Sequence, residues 1–487
     1  MRRRTDVNLG VDVDVDVDRA VSRSLAEAEP VPFWTADPAR PDPGPVLTGR
    51  RACDLAVVGG GYGGLWTALR AKERDPSLDV VVLEAGRIGS AASGRNGGFC
   101  SASLTHGLLN GVERWPDDMD AIERLGWENL RAIAATLTRY GIDADWEPTG
   151  ELTVATREWQ VPLLEEEAEH AFELGWEPIL LGRDGVRAEV NSPTYLAGLW
   201  DRHAVALLHP ARLAWGLADA CRSLGVRIFE NTRVTGLRPD GGRLRLDGPH
   251  GAVGAHRVAL ATGAFPPLLR RMRGFVVPVY EYALVTEPLS GAQRDAVGWR
   301  RRQGVGDSGN RYHYYRLTPD DRVVWGGYDA VYHFGGRIGA DLERRPAAFA
   351  SLARNFFATF PQLDGVRFAH AWGGVVDTCT RFCAFFGTAH DARLAYAAGY
   401  TGLGVGATRF GADVMLDLLH VGLGPGEETE RTRLAMVRDK PVPFPPEPLR
   451  YGAIELTRRA MARADREGGR RGPWLRALDR IGAGFGS

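Results

Sequence analysis

Lysine is nearly missing from this chain of 487 residues: Lys72 and Lys440 are the only two, and every other strong base is arginine. Lys72 falls late in a helical run and Lys440 in the proline-rich DKPVPFPPEP, so neither is expected at a reaction centre. That effectively excludes chemistry through a Schiff-base lysine. A long apolar run is also missing, since none reaches the roughly 18 residues of a membrane span. So is an excess of one charge: a net charge of −1 leaves no electrostatic footprint for nucleic acid. Five cysteines, an odd number without a regular framework, fit a reducing cytoplasm better than secretion. Cys379 and Cys383 lack a paired Cys or His cluster to complete a zinc site, and no metal is expected. Met1 to Asp18 carries three arginines but no apolar core, which is not the pattern of a secretory signal.

Glycine is abundant, and its densest early cluster has a mechanism. Asp54 to Val58 reads as a buried strand that breaks into Gly59-Gly60-Gly61-Tyr62-Gly63-Gly64 before a helical run through Leu65, Ala68 and Leu69. In such a turn Gly59 makes the bend, Gly61 lets a pyrophosphate approach the backbone, and Gly64 lets helix and strand pack closely. A second strand, Asp79 to Leu83, ends on Glu84, placed to accept both hydroxyls of an adenosine ribose and to repel a 2′-phosphate. The glycines alone do not separate NAD from FAD. Two more adjacent glycines, in Gly94-Arg95-Asn96-Gly97-Gly98-Phe99, suggest a loop whose amides approach a flat ring.

The run Glu84-Ala85-Gly86-Arg87-Ile88-Gly89, followed by Ser93-Gly94-Arg95-Asn96-Gly97-Gly98, resembles the FAD-dependent amine and amino-acid oxidoreductases of the D-amino-acid oxidase and glycine oxidase superfamily. The resemblance is closest to the gamma-glutamylputrescine oxidase branch. It implies an α/β fold: a Rossmann-like FAD-binding domain of the glutathione-reductase/hydroxylase type with a second, mostly antiparallel β substrate domain. FAD would be held by Gly59, Gly61, Gly63, Gly64, Glu84, Ala85, Arg87, Ser93, Arg95, Asn96, Gly97 and Gly98. Further on, Val234 sits where family members meet the adenine, and Thr262-Gly263 where a strand passes the pyrophosphate. Gly402, Leu403 and Gly404 open a helix whose N-terminus would face the flavin N1 and C2 carbonyl.

These pieces give a discontinuous FAD-binding domain over 31–110, 195–265 and 366–421, and a substrate domain over 111–194 and 266–365. Residues 1–30, with Val-Asp repeated from Val11 to Asp18, read as a disordered tail. Phe33-Trp34 and the prolines after it read as an extended arm. Residues 422–487 form a C-terminal extension with an arginine-bearing helix from Ile454 to Arg466. From Val276 to Tyr332, aromatic-rich alternation around Pro319-Asp320-Asp321 signals an antiparallel hairpin lying over the flavin.

The resemblance implies oxidation of the C–N bond of a small amine or amino acid by hydride transfer to flavin N5, with O2 as acceptor. Catalytic candidates facing that space are Tyr280, Tyr282, Tyr315, Arg316 and Arg381, with His313 and Tyr328 beside them; Arg316 or Arg381 is placed to fork onto a substrate carboxylate. Cys383 is either the point of a covalent flavin link or a buried free thiol. Oxidases resembling sarcosine oxidase place a lysine near N5, and its absence here leaves a dehydrogenase with another acceptor open. A flavin hydroxylase of related fold would need a Gly-Asp motif where this chain has Gly387-Thr388. Neither the oligomeric state nor the particular amine follows from the sequence.

Overall fold

A computed structural model describes residues 18–424 and 426–484. Two eight-stranded sheets carry the chain. In the first, five strands run parallel in the order Arg227–Phe229, Val80–Leu83, Gly49–Val58, Gly251–Leu260 and Leu394–Ala398. Phe385–Ala389 closes one edge antiparallel, and Gly236–Asp240 with Arg243–Asp247 forms a ladder off Gly251–Leu260. The central strands become apolar toward their carboxyl ends, as in Val80–Leu83 (VVVL), because both faces are covered there: one by helices, the other by the Gly236–Asp240 and Arg243–Asp247 ladder with Met272.

The second sheet has the order Phe368–Thr378, Val277–Thr286, Val323–Tyr332, His313–Leu317, Gly304–Asp307, Glu151–Ala155, Ala197–Asp201, Ile179–Gly182. Its pairs are antiparallel except Gly304–Asp307 beside Glu151–Ala155. One face packs on the Pro346–Thr359 helix through Phe349, Phe356 and Phe360 against Tyr282 and Trp325. The other face is left to line a cavity.

Three expected boundaries move. Ala197–Asp201 and Phe368–Thr378, assigned by sequence to the nucleotide-binding segments, pair instead in the second sheet. Apolar alternation is the same in both sheets, and only the register partner decides membership. The tail expected over 1–30 is folded from residue 18 onward: residues 18–25 are helical, Val21 is buried in the second core, and the Glu29 N–H donates to the Ala369 carbonyl. The Val-Asp run, apart from Asp18, lies outside the described residues.

The glycine turn explains how the first sheet meets its helix. A Cβ on Gly64 would run into the carbonyl oxygen of Gly59, and Gly59 itself has φ +111° with the Ala261 carbonyl against its Cα. Tyr62–Arg74 therefore leaves the strand tip in near contact with it, its N-terminal amides facing the space beyond the sheet. A second helix, Gly404–Leu418, lies on the first and opens onto the same space. Buried ion pairs clamp the two: Asp413 accepts from Arg70 Nε at 3.1 Å and Arg74 Nη2 at 2.8 Å, and Asp417 from Arg74 Nη1 at 2.7 Å and Arg431 Nε at 2.9 Å. The surrounding guanidinium groups hold the Asp413 carboxyl below its ordinary range although burial opposes this.

Gly64→Ala forces the helix off the strand, and we expect it to lower unfolding free energy by about 1–3 kcal/mol in a urea titration.

Candidate active site

Beyond the carboxyl ends of the parallel strands opens a cavity of about 1250 Å³, lined at one end by Gly59, Gly61 and Glu84 and at the other by Tyr312 and Tyr314. Ligands of open α/β sheets bind at such strand ends. Glu84 accepts hydrogen bonds from the amides of Gly60 at 2.6 Å and Gly86 at 2.7 Å. Burial pushes its carboxyl up, and these two amides hold it down. Arg233 and Val234 are not in a strand; their segment runs beside Glu84, with the Thr232 N–H donating to the Glu84 carbonyl at 2.7 Å. Of the residues expected at the cofactor, Gly59, Gly61, Gly63, Glu84, Ala85, Ser93, Arg95, Asn96, Gly97, Val234, Thr262, Gly263, Gly402, Leu403 and Gly404 all line this one cavity. Gly64, Arg87 and Gly98 do not line it: Gly64 serves the helix–strand crossing, and Arg87 donates to the Pro41 carbonyl.

The Ser93–Gly98 loop is held from beneath by residues far away in sequence. The indole N–H of Trp34 donates to the Asn96 carbonyl at 2.8 Å, and that of Trp372 to the Arg95 carbonyl at 2.9 Å. Phe33–Trp34, read as part of an extended arm, is a 3-10 turn whose Trp34 is 1% exposed and meets His209 edge-on. The Asn96 side chain accepts the Gly98 N–H at 2.9 Å, and Arg95 is tied to Glu343 at 2.6 Å.

Most of the expected catalytic residues lie elsewhere. Tyr315 is sealed in the second core, its hydroxyl 2.6 Å from that of Tyr195 and its ring against Trp325. Arg316 is fully buried under the loop, donating to the Leu208 carbonyl at 2.8 Å and lying over Trp34, and its burial lowers the guanidinium to about 10. Arg381 donates to the carbonyls of Cys383, Ala384, Met436 and Asp439, fixing the C-terminal extension to the body. Tyr280 and Tyr282 direct their hydroxyls to Gly339 and Leu342, although the Tyr282 ring reaches the cavity wall. His313 is held between Asp307 at 2.7 Å and Asn355 at 3.0 Å, stacked on Tyr328. Burial pushes the Cys383 thiol to about 12, and it does not line the cavity.

The error is one of parity. In a strand, successive side chains face opposite ways, and the cavity takes the residues between those expected: Glu281 and Ala283 rather than Tyr280, and Tyr312 and Tyr314 rather than His313 and Tyr315. Tyr314 lies flat where Gly97 and Gly326 leave room, for a Cβ on either glycine would meet its ring. Glu281 has no ion pair or hydrogen bond among the described residues, and burial pushes its carboxyl up to about 7. Its charge reaches Tyr312 and Tyr314.

More carboxylates line the far part of the cavity: Glu123, Glu151, Glu167 and Asp201. Burial, aided by mutual repulsion, pushes Glu123, Glu151 and Glu167 each to about 7. Neither lysine contributes, since Lys72 donates to the carbonyls of Pro76 and Leu78 and Lys440 is exposed. Sequence reading missed these acids because they come from separate helices and strands; only their placement on the cavity side of each element marks them.

A parallel sheet with a glycine turn, a ribose-placed acid and a second helix N-terminus over one elongated cavity defines a dinucleotide-binding oxidoreductase fold. The family model described as FAD dependent oxidoreductase matches residues 54–418. Gamma-glutamylputrescine oxidoreductase of Escherichia coli is 35% identical over 379 residues, covering 75% of this chain and 83% of that protein. Sarcosine oxidase subunit beta of Rhodobacter capsulatus is 25% identical over 358 residues, 71% of this chain and 78% of that protein. The crystal structure of glycine oxidase from Geobacillus kaustophilus superposes with a TM-score of 0.66 at 19% identity, over 79% of this chain and 99% of that one. The chain belongs to the FAD-dependent oxidoreductase family, and its cofactor is FAD. The cavity fits it: close backbone approach at Gly59 and Gly61, the Glu84 carboxylate and the amides opening Gly404–Leu418 lie along its length.

Glu123 titrates near 7 folded against an ordinary 4.5, so between these values the folded state holds the extra proton and the residue's contribution to stability falls as pH rises. Glu123→Gln has no proton to lose. We expect its melting temperature, relative to the unchanged protein, to rise from pH 5 to about pH 7 and to level off by pH 8 in parallel thermal scans.

Proposed function

We propose that this chain oxidises the C–N bond of a small amine to the imine, with O2 as acceptor and hydrogen peroxide as the second product. Bound FAD would supply the acceptor for the hydride on the carbon bearing the nitrogen and the route for its electrons to O2. The relatives named above act, by their names, on gamma-glutamylputrescine, sarcosine and glycine.

The observation that carries an amine rather than an amino acid is the state of the cavity's charges. Among the described residues Glu281 has no ion-pair partner, and it shares the wall with Tyr312, Tyr314 and Trp372, a setting that receives a cation through the carboxylate and the ring faces. A carboxylate would need a free guanidinium fork, and Arg316 and Arg381 are committed to backbone carbonyls while Arg95 is paired with Glu343. The remaining arginines on the wall among the described residues, Arg233, Arg270 and Arg273, adjoin Val234 and Leu268 at the Glu84 end.

Glu281 has two tasks in this reading. It attracts the substrate ammonium, and with a carboxyl near 7 it takes the proton that must leave before the neutral amine can react. Ala283 and Gly374 keep the wall beside it low, and Tyr314 and Trp372 exclude water. The Gly59–Gly64 turn, Glu84 and Gly402–Gly404 are assigned to holding FAD, and the Trp34 and Trp372 indoles to keeping the Ser93–Gly98 loop in place. Five buried, free cysteines fit a cytoplasmic setting.

A second reading, an amine dehydrogenase with another acceptor, is favoured by one observation: neither lysine lines the cavity.

Anaerobic addition of primary amines to the yellow holoprotein should bleach its visible bands, and admission of air should restore them with peroxide. Bleaching that air leaves unreversed selects the dehydrogenase; no bleaching with any amine refutes both. We expect Glu281→Gln to keep its flavin, to lose about 10²-fold in kcat/KM and to lose the rise of kcat/KM with pH through about 7.

A further inference from the structure

Four carboxylates at the far part of the cavity have no cation to face among the described residues. Glu123 comes from the Met119–Tyr140 helix, Glu167 from Val161–Glu173, Glu151 and Asp201 from two adjacent strands. Among the described residues, none of the four takes part in an ion pair, in a chain otherwise crowded with arginine salt bridges.

The arrangement is costly as it stands. Glu151 and Asp201 are directly opposite in an antiparallel pair, where like charges repel. Asp201 Oδ1 is oriented by the N–H groups of His203 at 2.8 Å and Ala204 at 2.9 Å. Glu151 bends over Gly306, with Oε1 only 3.1 Å from where a Cβ on that glycine would stand. Glu123 is the clearest sign of a missing partner. It is 5% exposed, it stands on the cavity wall, and neither of its carboxyl oxygens has a hydrogen bond among the described residues. A buried carboxyl with no partner costs free energy that an arriving cation would recover.

The acids are continuous with the reaction end of the cavity. The strand that follows Tyr312, His313–Leu317, lies between the strands of Glu281 and Glu151 in the sheet, and Tyr312 feels the charges of both. Leu163, Leu164, Leu199 and Trp176 line the same region with apolar surface suited to methylene groups.

We propose that Glu123, Glu151, Glu167 and Asp201 receive a second cationic group of the substrate, so that the amine oxidised is one end of a linear di- or polyamine. The inference rests on the amine reading above and deepens it. A dication laid along Tyr312 would meet Glu281 at the reacting end and the carboxylate cluster at the other, with its methylenes against the leucines. A monoamine of the same length would bury an apolar tail among uncompensated acids, and an amino acid would bring a carboxylate that they repel.

The test uses the holoprotein at low ionic strength and pH 8, comparing putrescine and spermidine with butylamine as substrates. It adds 1,6-diguanidinohexane against hexylguanidine, of the same chain length, as cations with no amine to oxidise, read by the shift of the flavin bands and of the melting temperature. We expect kcat/KM for the di- and polyamine to exceed that for butylamine by at least about tenfold, and diguanidinohexane to bind at least about tenfold tighter than hexylguanidine. Both ratios should fall about tenfold in the double variant Glu151→Gln, Glu167→Gln and partly in each single variant, with flavin content reporting that each has folded. Bleaching by butylamine and putrescine alike, with equal binding of the two guanidines or ratios unmoved in the variants, overturns the carboxylate pocket and leaves amine oxidation standing. Tight diguanidinohexane binding that depends on Glu151 and Glu167, with no bleaching by any amine, supports the pocket and removes the amine-oxidation reading instead.

Discussion

Everything in the cofactor half depends on how closely the Tyr62–Arg74 helix approaches the strand that precedes it. The Gly64 Cα rests against the Gly59 carbonyl with no room for a side chain, so the first helix turn is delivered to one place beyond the sheet. The Gly404–Leu418 helix is then referenced to it by Asp413, gripped by three arginines, and Asp417, gripped by two. Two positive helix ends thus share one cavity. Losing one arginine would leave a buried carboxylate less fully compensated, and the desolvation of every member offsets much of the attraction, so such clamps hold orientation more than they add stability.

The loop between the two halves is supported in another way. Ser93–Gly98 has little apolar surface of its own, and Trp34 and Trp372 each spend their single indole donor on its backbone. Arg316 fills the space beneath Gly98 and reaches the Leu208 carbonyl, so a residue that looked catalytic is a strut. The segment before the first strand is accordingly part of the site's foundation, and removing it would loosen the loop without touching the nucleotide turn.

The second sheet divides its two faces between unlike environments. One is closed by the Pro346–Thr359 helix and its phenylalanines; the other carries Glu281, Tyr312, Tyr314, Glu151 and Asp201 onto the cavity. Acids with raised carboxyls on that face give the chamber a negative field that deepens as pH passes about 7. Such a field concentrates cations and repels carboxylates, which agrees with arginines being committed elsewhere.

What the sequence determined by itself was the nucleotide half: the glycine turn, Glu84, the Ser93–Gly98 loop and the Gly402–Gly404 helix start were all legible. Each depends on a local backbone conformation that only a short run of residue types can supply. The substrate half was legible as antiparallel strands but not in its faces. Two-residue alternation marks which residues share a face and is silent on which face meets the helix and which the cavity, so Tyr280 and Tyr315 were read for Glu281 and Tyr314. The membership of Ala197–Asp201 and Phe368–Thr378 was decided by hydrogen-bonding partners far away in the chain. So was the meeting of Glu123, Glu151, Glu167 and Asp201, because carboxylates on separate helices and strands become a cluster only when packing points them into the same space.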